Sequence, residues 1–139
     1  MPLIELSLLY KGLVVMGKFL VGHGAIAGKA FIALKSAIAA YGLPSVISTV
    51  VTTGIVIGGI KWTEERITNV QKIVRGLQEE DYQAAIENFV RLSIATHIPQ
   101  HVLIDRIGDY LSAAGNDYET IQKVKGALYE IKKHIDDEN

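Results

Sequence analysis

The sequence predicts an all-α protein: an N-terminal hydrophobic helical hairpin over residues 1–61, then a small C-terminal helical bundle over residues 62–139. Three observations carry that reading. No charged residue falls between Lys35 and Lys61. Apolar residues beyond Trp62 recur at three- and four-residue spacing between helix start and stop signals. The charges also divide unequally. Residues 1–61 hold five lysines against Glu5, a balance of +4, and residues 62–139 hold nine Lys/Arg against fourteen Asp/Glu, a balance of −5. With 49% hydrophobic and 21% charged residues, the chain has enough apolar surface to offset its conformational entropy, which excludes a disordered protein.

The first arm runs from about Leu3 to Ala40. At 100° per residue, Ser7, Lys11, Lys18, Lys29 and Ser36 fall within a sector of roughly 40° on a helix otherwise made of Leu, Val, Ile, Phe and Ala. A basic stripe that narrow suits a helix lying among lipid headgroups, or one whose stripe faces a wet lumen or a partner's acids. The competing reading is the solvated face of an amphipathic helix in water, for which so few lysines wet too little surface. Gly24 and Gly28 form a G-x-x-x-G pair, and Ala33 and Ala37 repeat the small-residue spacing. Such pairs let helix backbones approach closely in a membrane and favour a homo-oligomer. His23 is the odd titratable group of this arm, read as interfacial.

Tyr41-Gly42-Leu43-Pro44 then reads as a helix stop and restart, giving a second arm from Pro44 to Lys61 antiparallel to the first. Pro44 to Ile60 is uncharged over seventeen positions, close to the length that crosses a bilayer core as a helix. Tyr41 and Trp62 flank it where amphipathic rings anchor at water–lipid interfaces. Its Val, Ile and Thr content favours a strand in water, whereas lipid would impose a helix because an isolated strand leaves its backbone unsatisfied. On such a helix Ser45, Ser48, Thr49 and Thr52 share one side. The alternative is a buried helix or strand in the core of an assembly in water.

The polar half reads as four capped helices. Thr63 caps one to about Gln78, with Ile67, Val70, Ile73 and Val74 inward. Asp81 caps the next, burying Ala85, Ile86, Phe89, Val90 and Ile94. Pro99 opens a third, with Val102, Leu103, Ile107, Tyr110 and Leu111 inward and a stop near Gly115. Asp117 caps the fourth, which buries Ile121, Val124, Leu128 and Ile131. A bundle this small gains from oligomerisation.

Chemistry is sparse. The sequence has no cysteine, so disulfides and thiolate catalysis are out. His97, His101, Asp105 and Asp109 share a four-residue spacing, but Pro99 puts His97 outside the helix, so we read a polar helix face and expect no metal. Glu79-Glu80-Asp81 suits a helix start, where carboxylates meet free amide groups and the helix dipole. With no nucleotide-binding glycine motif and no nucleophile–base pair, neither an enzyme nor a cofactor is expected. Basic residues set among Val, Ile, Ala and Gly do not suit nucleic acid.

The start of the chain is a poor secretory signal, because Met1–Tyr10 lacks Lys and Arg and Lys18 interrupts the apolar run. Ala25-Ile26-Ala27 looks like a cleavage site only in isolation. The expected partners are therefore a lipid bilayer with anionic headgroups, further copies of the chain, and a protein partner for the bundle. Two functions follow: a membrane-inserting, self-associating and permeabilising protein, or a membrane-anchored adaptor that assembles through its apolar hairpin into a filament or shell. Lys61, Arg66, Lys72 and Arg75, beside the exit of the second arm, would hold the bundle on the cytoplasmic side, with Lys35 as opposing evidence.

Overall fold

A computed structural model describes the backbone of residues 28–137 and the side chains of residues 31–136. Among these residues the protein is mostly helical. Helix α1 (Gly28–Ala39) leads through an extended strap, residues 43–55, into a two-stranded hairpin, β1 (Val56–Ile57) and β2 (Ile60–Lys61). Four helices follow: α2 (Glu64–Gln78), α3 (Tyr82–Thr96), α4 (Gln100–Ala113) and α5 (Tyr118–Asp137).

The bundle helices start where their caps place them. Thr63 Oγ1 accepts from the Arg66 amide at 3.4 Å, Asp81 from Ala84 at 3.2 Å and Asp117 from Thr120 at 2.8 Å. Each bond satisfies an amide that the first helical turn leaves free. The Thr120 bonds hold the Asp117 carboxyl below its ordinary pKa, because they favour the charged form. The helices end in left-handed turns: Glu80 at φ 59° after α2, His97 at φ 56° after α3 and Gly115 at φ 98° after α4. Tyr41 and Gly42 close α1 by bonding back to Ile38 and Ala39, so the helix stop read from the sequence is where the chain turns.

Helix α2 packs along α3, α4 along α5, and α1 against α5. The first pair is close: a Cβ on Gly76 would lie 2.8 Å from the Asp81 carbonyl oxygen and 2.9 Å from the Ala85 nitrogen. The core combines Ile73, Ile86, Phe89, Leu103, Ile107 and Leu128, none with any exposed surface. Leu34 and Ile38 of α1 and Ile60 of β2 belong to that same core, so buried contacts continue across residues 61 and 62.

One expected element is absent. Residues 44–61 do not form the second helix of a hairpin; they run extended and return through β1 and β2. Period two replaces period 3.6: Ile47, Thr49 and Val51 are half-buried, while Val46, Ser48, Val50 and Thr52 are exposed. The run is rich in β-branched residues, which lose side-chain freedom in a helix and suit an extended backbone. With a bundle to lie on, that preference prevails. The hairpin then turns at Gly58 and Gly59, with φ of 60° and 77°, and positive φ at both central residues is what a tight two-residue turn requires.

Candidate functional site

Uncovered apolar surface is concentrated in one part of the described chain. The large aliphatic side chains left exposed are Ile32, Val46, Val50, Ile55 and Val56; beyond them only Tyr118 and Tyr129 are large, apolar and exposed. Val46 and Val50 are 80% and 75% exposed, far more than an aliphatic residue with a core to join. Val50, Val51, Thr52, Ile55 and Ile57 line one side of a surface cleft whose other side includes Ala113 of α4.

Three side chains of the bundle brace the strap from beneath. Gln78 Nε2 donates to the carbonyls of Pro44 (3.3 Å) and Ser45 (3.0 Å). Asn116 Oδ1 accepts from the Ser48 amide at 2.9 Å, and its Nδ2 donates to the Ser48 carbonyl at 2.7 Å. That pair of bonds lets one side chain stand in for a neighbouring strand. The Tyr110 hydroxyl donates to the Thr49 carbonyl. Burial raises the Tyr110 pKa from 10.0 to about 12, because the phenolate would lose its hydration.

Tyr41 and Trp62, expected at membrane interfaces, are covered by protein on this chain. Trp62 has no exposed surface, its ring 4.6 Å from that of Tyr110 and tilted by 55°, and its Nε1 donates to the Ile57 carbonyl at 3.2 Å. The hairpin turns the chain back on itself, which carries Trp62 into the core instead of leaving it at the end of a long helix. Tyr41 is half-buried against α5 over Gly126, where an added Cβ would run into the ring. Its hydroxyl donates to Glu130 at 3.4 Å, and its pKa is raised by burial and by that carboxylate.

The remaining expected site residues divide by position. Lys11, Lys18 and Gly24 lie outside the described residues, while Gly28 and Lys29 form the first described turn of α1. Ala33 is exposed and Ala37 half-buried on that helix. Lys35 meets Glu80 at 3.1 Å, with both side chains about half exposed. Of the basic cluster after the strap, Arg66 is engaged by backbone: it donates to the carbonyls of Lys61 at 3.0 Å and Ala95 at 3.1 Å, tying the hairpin to the end of α3.

His97 sits in the turn after α3, and His101 is exposed on α4. Lys125 pairs with Asp105 at 2.9 Å, and the hydrogen bond to that carboxylate raises its pKa. Among the described residues no group of three or more His, Cys, Asp or Glu is placed to hold a metal ion. No described helix is long and apolar enough to cross a membrane.

Gln78, Asn116 and Tyr110 brace the strap, a role that sequence reasoning missed. Asn116 reads there as one more residue of a Gly-Asn-Asp loop, and Tyr110 as one more core position of its helix. No local signal marks them, because each lies far along the chain from the carbonyl it holds. Compared with family models, curated proteins and solved structures, the chain matches none.

Proposed function

We propose that the protein is a non-enzymatic, self-associating helical protein that attaches to a membrane through its N-terminal apolar segment and holds its acidic bundle there. One observation carries the reading. Among the described residues, the large aliphatic side chains left uncovered lie between Ile32 and Val56, at the end of and just after the apolar arm that bears Lys11, Lys18 and Lys29. A bundle that seals its own core but leaves valines bare at one end is built to bring that end to another apolar phase. Lysines on a narrow stripe meet anionic headgroups while the rest of the helix enters the acyl boundary.

The anchoring reading stands ahead of the permeabilising one because attachment through the first arm does not require residues 44–61, the second arm of a spanning hairpin, which lie extended on the bundle. Small residues at Gly24, Gly28, Ala33 and Ala37 are the proposed contact between copies. The bundle faces the cytoplasm in this reading and offers its acidic surface to a protein partner.

Flotation of the full-length protein with vesicles, with and without anionic lipid, tests the reading. The protein should float with anionic vesicles, and Lys11→Glu/Lys18→Glu/Lys29→Glu should weaken that binding by an order of magnitude or more, since each basic residue near a charged surface contributes on the order of 1 kcal/mol. Dye release from the same vesicles would restore the permeabilising reading. Protein that stays at the bottom as a defined oligomer would overturn membrane attachment and make residues 1–61 an assembly core.

A further inference from the structure

We propose that residues 43–59 are a releasable latch: they lie extended on the bundle in water and leave it to insert as a helix when the protein meets a bilayer. The inference rests on the membrane reading above and adds how insertion is controlled.

The hold on the strap is weak for its length. None of residues 39–59 is fully buried. Peeling them away therefore leaves most of the core in place, because the buried residues lie at Leu34, Ile38 and from Ile60 onward. Backbone pairing begins where Gly54 and Ile55 bond to Trp62, and between Pro44 and Val51 the strap has no strand beside it. Its Leu43, Ile47 and Val51 side chains are only partly buried against the core. Its backbone over that stretch is held by Gln78, Asn116 and Tyr110. Each such bond adds little net stability in water, because the released backbone regains hydration. Few buried contacts and exposed backbone bonds mark a segment that opens locally while the rest stays folded.

The released segment suits lipid. Pro44 to Gly59 carries no charge and as a helix extends about 24 Å, near the thickness of the hydrocarbon core. Val46, Val50 and Val56, exposed on the bundle, would be covered by acyl chains. The β-branched preference that keeps the run extended in water is overruled in lipid, where the backbone must bond to itself. A bilayer thus binds the open form and not the closed one, which is the condition for it to shift the equilibrium between them.

A covalent lock tests the latch. A Cβ on Gly58 would lie 3.6 Å from the Asp109 Cβ, within the spacing a disulfide needs, and the chain has no cysteine to compete. A side chain at φ 60°, 3.1 Å from the Arg106 Cδ, strains the turn in the oxidised and reduced forms alike, so the reduced form is the reference. Gly58→Cys/Asp109→Cys, oxidised, pins the hairpin to α4. Wild type, the oxidised lock and the reduced lock are each floated on phosphatidylcholine vesicles containing phosphatidylglycerol, then treated with trypsin and washed with carbonate. Trypsin cuts after Lys35 and Lys61, with no site between them, so peptide 36–61 reports insertion by mass spectrometry.

The wild-type peptide should stay with the membrane. The oxidised lock should float equally well but retain about tenfold less peptide or lower, as covalent closure of the open form implies, and reduction should restore retention. Gln78→Ala/Asn116→Ala needs no disulfide to form and should raise retention at limiting lipid, on the order of tenfold if each brace contributes an ordinary hydrogen bond. A wild type that floats while its peptide washes away overturns the latch and leaves membrane attachment standing. Equal retention in locked and reduced forms also overturns the latch, and failure of every form to float overturns both readings.

Discussion

The strap and helix α4 lie against each other and are both apolar, yet they treat their side chains in opposite ways. Helix α4 places Leu103, Ile104, Ile107, Tyr110 and Leu111 at helical spacing, and all five are fully covered. The strap places Ile47, Thr49 and Val51 at strand spacing, and all three stay half-buried while Val46 and Val50 face out. Apolar content alone therefore does not define a core. Periodicity decides which face is covered, and an extended chain with no sheet neighbour covers only one side of itself.

The largest expected effect belongs to the point where the two regions meet. Trp62→Ala removes a ring with no exposed surface and should cost about 3–5 kcal/mol, lowering the denaturant midpoint of the whole bundle. Val50→Ala, on the outer face of the strap, should stay within about 0.5 kcal/mol. Equal losses would erase the distinction between the regions.

Next is Gly76→Ala, whose Cβ would press on the Asp81 and Ala85 backbones. Backbone gives way less readily than a side-chain tip, so chemical denaturation should show a loss of about 1–3 kcal/mol.

The brace at Tyr110 makes a pH-dependent prediction. Its phenol ionises near 10.0 when free and at about 12 in the fold. The folded state favours the protonated form, so this contribution is complete below pH 10 and is lost as pH rises from 10 toward 12. Tyr110→Phe should lower stability by about 1 kcal/mol at neutral pH. It should also flatten the fall between pH 10 and 12, measured by urea unfolding at stepped pH. A variant with the wild-type slope would mean that the phenol is not held in its neutral form.

Smallest in global terms is Asn116→Ala. It removes both bonds to Ser48, and hydrogen exchange at Ser48 should quicken by about tenfold, in line with roughly 1 kcal/mol of local opening. Exchange across α2 and α3 should not change.

The bundle was legible because its signals are local. Thr63, Asp81 and Asp117 each cap the helix they precede, Pro99 precedes α4, and the apolar stripes predicted for all four helices face the core, with Ile94 and Val102 at its margin. The strap was not legible, because its conformation depends on what surrounds it. A β-branched run favours an extended backbone in water whereas lipid would impose a helix, and composition cannot say which solvent it meets. Its braces were hidden for a similar reason. Gln78 and Asn116 lie 33 and 68 residues from the carbonyls they hold at Ser45 and Ser48, a separation that no local pattern records. The burial of Trp62 follows from the strap's path and was lost with it.

Hydrogen exchange of the full-length protein, with and without anionic vesicles, tests most directly the contrast between a sealed bundle and an end made for another environment. Amides of residues 43–59 should exchange far faster than those of α4 in water, then become protected when vesicles are added while α4 stays as it was. A strap as protected as α4 in water, or one indifferent to vesicles, would contradict the account.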